Sequence, residues 1–411
     1  MNLAVISVLA LTFAVVVSCV SRLNVGVLSL ALAWIVGVYI GGVPIATILS
    51  GFPSQLFLTL TGVTLLFALA QTNGTLELIT HRAVRLCRGN CGTIPVMFFV
   101  LGAALASIGP GNIAAAALLA PIAMATAGRT GIPLFLMAIM VGNGCNSGGL
   151  SPFAPTGIIV NGLMARNGLP GFEWQTYSYN LLAHAVVAFG GYALFGGLKL
   201  FGGKPAASAA EEERVERLGR RHWITIAVIT GLILSVVVLK VNVGMAAFLG
   251  AVIIVLTRSG DDGEAFKKMP WRVIVMVCGV TVLISLVERA QGLDLLVSLV
   301  ARVATPATVT GIVAFFTGLV SVFSSTSGVV LPAFLPMVPG LVEQLPTASA
   351  IGIASSMNVG GHLVDVSPLS TMGALCMAGA AADESRELFN KLLAWGLSMA
   401  VVGAVLCYLM F

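Results

Sequence analysis

The chain has 411 residues, 58% of them hydrophobic and 9% charged, with a net charge of +5 and a mean hydropathy of +1.03. A soluble domain draws about a quarter of its residues from Asp, Glu, Lys and Arg, so 16 acids and 21 bases cannot cover a soluble body of this length. A soluble enzyme and a disordered chain are thereby excluded, and continuous rather than alternating apolar runs argue against a β-barrel, which leaves an all-α polytopic membrane protein.

Long apolar runs lie near 3–20, 25–41, 54–71, 94–127, 132–165 and 180–201. The first has no basic segment ahead of it and reads as a retained membrane helix rather than a cleaved leader. A polar stretch over 202–222, with Glu211, Glu212, Glu213, Arg214, Glu216, Arg217, Arg220 and Arg221, reads as a solvated linker. A second set of runs follows near 223–239, 241–257, 271–289, 308–345, 347–381 and 390–410. The two sets match segment for segment, down to amphipathic pieces, Leu76 to Arg88 and Leu293 to Val303, ahead of the fourth run of each. The chain therefore reads as two repeats, 1–201 and 223–411. The 7 cysteines are scattered, and Cys87 with Cys91 lack a second pair to complete a zinc site, so they read as packing residues.

Two runs in each half are too long for one span and are interrupted. Run 94–127 breaks at Ser107-Ile-Gly-Pro-Gly-Asn112, and its counterpart 308–345 breaks at Ser321-Val-Phe-Ser-Ser-Thr-Ser-Gly328. A helix, a Gly/Ser/Pro tip and a returning helix make a re-entrant hairpin; two ordinary spans joined by a short loop are the alternative. The next run of each half carries Asn143 upstream of Ser151-Pro152 and Gly157, matched by Asn358 upstream of Ser367-Pro368 and Gly373. These read as helices broken at mid-membrane, with Pro152 and Pro368 opening the second half-helices.

If each hairpin returns to its own side, each half crosses five times and the repeats are inverted. Arg166, Lys240, Arg289 and Arg302 then fall on one face, and the rest of the 21 Lys and Arg on the other. The positive-inside rule places the linker in the cytoplasm and both termini outside, in the inner (plasma) membrane. The positive net charge is thus topological and does not signal nucleic acid.

A half-helix that starts at mid-membrane presents free backbone N–H groups and partial positive charge. Starts are predicted after Pro110-Gly111, at Pro152, after Thr326-Ser327 and at Pro368. Small polar side chains gather there: Asn112, Asn143, Asn146, Ser147, Ser151 and Thr156 in the first half, and Ser324, Ser325, Thr326, Ser327, Asn358, Ser367 and Thr371 in the second. Such a set suits a small anion, with oxygen atoms left over for a cation. No Lys or Arg falls in the set, and Arg129 and Arg166 read as interfacial anchors. A dianion would then need a co-transported Na⁺ or H⁺ to balance its charge. His362 and Asp365, three residues apart, are the ionisable pair within a broken helix: a cation ligand or proton carrier on one reading, a structural hydrogen-bonding pair on the other. His184, alone in an apolar run, reads as a packing histidine.

Gly51-Phe-Pro-Ser-Gln-Leu-Phe, Gly62-Val-Thr-Leu-Leu-Phe, Ala70-Gln-Thr-Asn-Gly-Thr-Leu76 and Ser151-Pro-Phe-Ala-Pro-Thr-Gly157 resemble the MatC-type malonate/C4-dicarboxylate carriers. Those carriers sit in the ion transporter group related to the divalent anion–sodium symporters. The resemblance implies a homodimer in which a mobile transport domain moves like an elevator against a scaffold. In the symporters each hairpin tip carries Ser-Asn-Thr, with a Ser or Thr four residues upstream helping to ligate sodium. Here Ser321 and Ser325-Thr326-Ser327 keep that spacing with Thr in place of Asn, while Ser107 and Gly111-Asn112-Ile113 keep the upstream Ser and the Asn. The coupling ion stays open between Na⁺ and H⁺.

The combined reading is a cation-coupled secondary transporter of small dicarboxylates, with no enzymatic activity and no cofactor. A citrate or other anion carrier of the same group, or an uncoupled facilitator or channel, is the transport alternative, and a membrane-embedded enzyme is a more distant one. Substrate is assigned to Asn112, Asn146, Ser147, Ser151, Pro152, Pro155, Thr156, Ser325, Thr326, Ser327, Ser367, Pro368 and Thr371. The coupling cation is assigned to Ser107, Asn112, Asn143, Ser321, Ser325, Asn358, His362 and Asp365. The unbroken runs 3–71 and 223–289 form the scaffold, and 94–201 and 308–410 the transport domain.

Overall fold

The structure is a computed structural model that describes every residue except Met1, Arg22, 87–89, 203–217 and 379–384. Most of the linker therefore lies outside the described residues, as do Arg22, Cys87 and Arg88. The first half comprises α1 (Leu3–Val20), α2 (Val25–Trp34), α3 (Ile45–Leu49), α4 (Ser54–Thr72), α5 (Thr75–Leu86), α6 (Thr93–Ile108), α7 (Gly111–Thr130), α8 (Leu134–Gly148), α9 (Pro155–Arg166) and α10 (Glu173–Leu194). The second comprises α11 (Arg220–Leu239), α12 (Val243–Leu256), α13 (Asp262–Lys268), α14 (Trp271–Arg289), α15 (Gly292–Val303), α16 (Val309–Ser321), α17 (Leu331–Phe334), α18 (Val338–Gln344), α19 (Ala350–Leu363), α20 (Thr371–Ala378) and α21 (Ser385–Met410).

No strand occurs among the described residues. Among the described residues, six helices are long and apolar enough to cross a membrane, and six shorter apolar ones accompany them. Large apolar side chains such as Leu9, Phe13, Leu194, Leu249, Leu256 and Leu409 face outward, as a lipid-facing surface requires and a water-facing one would not tolerate. The protein is a polytopic helical membrane protein. The amphipathic pieces are helical as expected, as α5 and α15. Cys91, Cys145, Cys278, Cys376 and Cys407 are buried.

The interruptions fall where the sequence places them, with different local structure at three of the four. Between α6 and α7, Gly109 adopts φ 145°, a conformation L side chains rarely reach, and Phe67 of α4 packs where its Cβ would be. Between α8 and α9, Pro152 does not open the half-helix. Ser151 to Ala154 form a turn closed by Ala154 N donating to Ser151 O (2.9 Å), and α9 starts at Pro155. Pro368 behaves alike: Ser370 N donates to Ser367 O (3.0 Å), and α20 starts at Thr371. The reason is the serine before each proline. Its hydroxyl accepts from the amide two residues on, Phe153 N and Leu369 N, both at 3.3 Å, and this Ser-Pro turn competes with a helical start. At the second hairpin the helix starts at Thr326 as a π-helical turn, capped by Ser325, whose hydroxyl accepts from Gly328 N (3.2 Å). The stretch joining His362 to Asp365 does not remain α-helical: α19 ends at Leu363 and Asp365 lies in a 3₁₀ turn over Val364–Val366.

Helices of the two halves exchange partners. α2 crosses α14, and α4 crosses α12. At the first crossing a Cβ on Gly26 would lie 2.3 Å from Val275 O and one on Gly279 2.2 Å from Gly26 O; at the second, a Cβ on Gly62 would lie 2.5 Å from Gly244 O. Within each half the same device recurs: Gly144 of α8 lies against the backbone of Phe99 in α6, and Gly360 of α19 against that of Ala314 in α16. Small residues permit such close backbone approach, which drives helix association in lipid. Gly26→Ala and Gly279→Ala are each expected to destabilise the protein by about 1–3 kcal/mol, seen as a lower thermal unfolding midpoint in detergent. Gly231→Ala, in α11 with no neighbouring atom within 4 Å, should not lower it, and equal effects at all three would remove the crossings from the stability argument.

Candidate functional site

The first cluster joins the tip between α6 and α7 to the break between α8 and α9. Asn112, in the first turn of α7, donates through Nδ2 to Asn146 Oδ1 (2.9 Å), and its own Oδ1 accepts from Thr156 Oγ1 (3.3 Å). Ser151 Oγ donates to Ser107 O (2.7 Å), one of the carbonyls left free where α6 ends. Asn112, Asn146, Ser147, Ser151 and Thr156 are all buried. Ser147 is occupied by its own helix, donating to Gly144 O (2.7 Å). Ser107 bonds Ala103 O (2.6 Å) and the Tyr177 hydroxyl (2.9 Å).

The second cluster repeats the theme with different chemistry. Thr326, at the hairpin tip, meets the Ser321 hydroxyl, donates to Asp365 Oδ1 (2.8 Å) and lies 3.3 Å from Gly361 O. Three oxygen atoms from three segments, those of Ser321, Gly361 and Asp365, thus converge around one threonine. Ser370 secures the loop by donating to the carbonyls of Asp365 and Ser367. In each cluster a tip side chain binds the facing broken helix: Asn112 to Asn146, and Thr326 to Asp365.

Several assigned residues do something else. His362 and Asp365 form no pair: neither a hydrogen bond nor an ion pair joins them among the described residues, and His362 Nδ1 turns back to Asn358 O (2.7 Å) while Asp365 takes Thr326. The cause is the end of α19 between them, which rotates Asp365 off the histidine's face. Ser367 is buried against Gly396 of α21 and caps its own turn. Pro368 is buried beside it, Pro155 and Ser327 are half-buried, and Thr371 is exposed. Asn143 pairs with His184, Oδ1 to Nδ1 at 2.9 Å, and Asn358 Nδ2 reaches only the Met164 sulfur at 3.6 Å. Those two asparagines stand apart from the tips. Sequence reasoning missed Tyr177, Ser370 and Asn180, whose amide donates to Asn146 O (2.9 Å) and Ser147 O (3.2 Å). The spacing of Tyr177, Asn180 and His184 along α10 was the available signal.

The two clusters belong to one neighbourhood. α7, which follows the first tip, packs against α20, and α9 packs reciprocally against the π-turn Thr326–Val330. A cavity of about 790 Å³ opens beside them, between α4, α9, α12 and α14, with Gln55, Thr59, Pro152, Arg166, Glu173 and Asn242 in its wall. Pro152 is the only assigned substrate residue in that wall. Arg166 also borders a smaller cavity of about 90 Å³ with Glu288, so it is a cavity residue, and no ion pair binds it among the described residues. No group of three or more His, Cys, Asp or Glu gathers as a metal site among the described residues.

The fold is shared with a transport protein of known structure. The structure of the YdaH transporter from Alcanivorax borkumensis superposes with a TM-score of 0.60 at 14% identity, covering 88% of this chain and 86% of that one. Residues 1–149 match the family described as dicarboxylate carrier protein MatC N-terminus, which bears out over that stretch the resemblance read from the sequence. No curated protein matches the chain. Each of these two is described as a carrier or transporter.

Asn112→Ala would leave Asn146 Oδ1 without its donor and Thr156 without its acceptor. It is expected to cost about 1–3 kcal/mol, measured as a lowered unfolding midpoint, whereas Thr371→Ala at its exposed position should leave the midpoint unchanged. Indistinguishable midpoints for the two variants would show that the first cluster contributes nothing to stability.

Proposed function

We propose that the protein is a cation-coupled secondary transporter of small dicarboxylates, malonate or a C4 acid. The observation that carries this reading is the pairing of the two tips, Asn112 on Asn146 and Thr326 on Asp365, at helix ends that meet across the halves. Helix starts at Gly111, Pro155, Thr326 and Thr371 offer N–H donors and partial positive charge to a carboxylate group at each end of a dianion. Asn112, Ser151, Thr156, Ser325, Thr326, Ser327 and Thr371 are the side chains proposed to bind it, with Asn146, Ser147, Pro152, Pro155, Ser367 and Pro368 shaping the breaks. The MatC description of the matched N-terminal segment is the support for the dicarboxylate class. Arg166, unpaired in the cavity wall, supplies positive potential on the approach.

In this reading the halves are inverted repeats of five crossings and one re-entrant hairpin each, in the plasma membrane, with both termini outside. The exchanged crossings α2–α14 and α4–α12 support a scaffold of 3–71 and 223–289. The packing of α6 with α8, α10 with α8 and α19, and α16 with α19 and α21 supports a transport domain of 94–201 and 308–410. The cavity lies between the two, as elevator-type movement in a homodimer requires. The coupling cation is placed at the oxygens around Thr326, as Na⁺ held by Ser321, Thr326, Gly361 O and Asp365, or as a proton on Asp365. Ser107, Asn112 and Ser325 are the candidates for a second cation at the tips.

Radiolabelled malonate and succinate uptake into proteoliposomes, under separate Na⁺ and pH gradients, tests the function. Accumulation driven by one gradient is the expected outcome, and uptake insensitive to both would replace the carrier with a facilitator. Asp365→Asn discriminates the ion. A sodium ligand lost should raise the Na⁺ concentration required, while a lost proton carrier should abolish the response to pH gradients and preserve substrate exchange. Wild-type response to both gradients would remove Asp365 from coupling. Alanine at Ser151, Thr156, Ser325, Thr326 or Thr371 should weaken dicarboxylate binding by about 1–3 kcal/mol wherever a charge-assisted bond is lost, and unchanged binding in all five folded variants would overturn the site.

A further inference from the structure

Close backbone contacts fix which positions of the two broken helices correspond. A Cβ on Gly157 would lie 2.0 Å from Ser151 O, and one on Gly373 2.1 Å from Ser367 O. A Cβ on Gly144 would lie 2.4 Å from Phe99 O, and one on Gly360 2.4 Å from Ala314 O. With these glycines and the two Ser-Pro pairs in register, Asp365 corresponds to Gly149. At the tips, Ser321 precedes Thr326 by the same spacing at which Ser107 precedes Asn112. The carboxylate of the second break thus meets a bare backbone position in the first.

The space beside that glycine is filled. A Cβ on Gly149 would lie 3.3 Å from both Cβ and Cγ of Asn112 and 3.2 Å from Asn146 O, so the Asn112 carboxamide lies where a side chain at 149 would point. All three residues are buried. Asn112 Nδ2 donates to Asn146 Oδ1 (2.9 Å), and Asn112 Oδ1 accepts from Thr156 Oγ1 (3.3 Å). The second tip instead gathers acceptors around Thr326: Asp365 Oδ1, Gly361 O and the Ser321 hydroxyl. Such an oxygen set suits a cation. Ser107 cannot complete one at the first tip, because its hydrogen goes to Ala103 O (2.6 Å) and its oxygen accepts from the Tyr177 hydroxyl (2.9 Å). Asn146 Nδ2 adds a further buried donor, with no acceptor. Amide hydrogens repel a cation, and without a carboxylate nothing offsets the cost of taking the ion out of water.

We infer that the first tip binds no cation and that the Asn112 carboxamide stands in the place of one, which leaves one cation per chain. The transport reading, on which this rests, leaves room for a second cation; the donors of the first tip remove that room. At the second tip the Asp365 carboxylate balances one monovalent ion, and Ser325 spends its hydroxyl oxygen on Gly328 N (3.2 Å). The two tips therefore differ in polarity. The first offers amide hydrogens to an anion without help from an ion, and the second needs its ion.

Equilibrium binding of radiolabelled Na⁺ to the full-length protein in nanodiscs, without substrate, counts the sites. The wild type is expected to bind one Na⁺ per chain, and Asp365→Asn none. Asn112→Asp exchanges the carboxamide for a carboxylate of the same shape, toward which Asn146 can turn its open Nδ2. It is expected to bind one Na⁺ more than the wild type. Where that variant does not fold, Asn112→Thr with Gly149→Asp, which copies the residues of the second tip, takes its place with the same expectation. Two Na⁺ bound by the wild type, or a count that the folded variant does not raise, overturns the inference. A wild type that binds no Na⁺, with a variant that binds one, upholds the inference for the first tip and makes the coupling ion of the transport reading a proton.

Discussion

A backbone interrupted inside a membrane has no water to satisfy the groups that the interruption frees, and this constraint organises the centre of the protein. Each break is met by a side chain from another segment or from its own turn. Ser151 donates to the carbonyl of Ser107, Asn180 to those of Asn146 and Ser147, and Ser370 to that of Asp365. Thr326 reaches toward Gly361 O. In lipid each freed group left alone would cost several kcal/mol, so an interrupted helix persists only inside a cage of polar side chains. The polar residues at the breaks thus close the backbone, and in the proposed transport reading they also face a ligand. Those with free bonding capacity, such as Thr371, are better placed for the latter than those already spent, such as Ser147.

Much of this was legible along the chain. Gly-Pro-Gly between two apolar runs announced the first tip, and the repeated spacing of Asn, Ser-Pro and Gly announced the paired breaks. The amphipathic helices before each hairpin were visible in their charge pattern. Local competition was harder to read: Pro152 and Pro368 suit a helix start by themselves, but the serine before each favours a turn that delays the helix to Pro155 and Thr371. The His362–Asp365 spacing suggested a pair because three residues make one helical turn, and the helix ends between them.

What the sequence could not show was long-range. That Asn143 would find His184, that Tyr177 would reach Ser107, and that α2 would cross α14 are facts about segments far apart in the chain. A lone polar residue in an apolar helix gives no indication of which neighbour it will meet. His184 is the instructive case: one ring nitrogen is satisfied, as a packing histidine's would be, and the other is left open.

The exchanged glycine crossings have a consequence for how the chain is made. Gly26 and Gly62 emerge from the ribosome about two hundred residues before Gly279 and Gly244, the residues that complete their contacts. Until then the inserted N-terminal half keeps two narrow notches filled only by lipid, and its α2 and α4 wait without their mates. Assembly of the bundle is therefore a late event that follows insertion of α12 and α14, and a nascent chain arrested at the linker is an open half with adhesive faces rather than a finished domain. Quality control in the membrane has its longest opportunity during that interval.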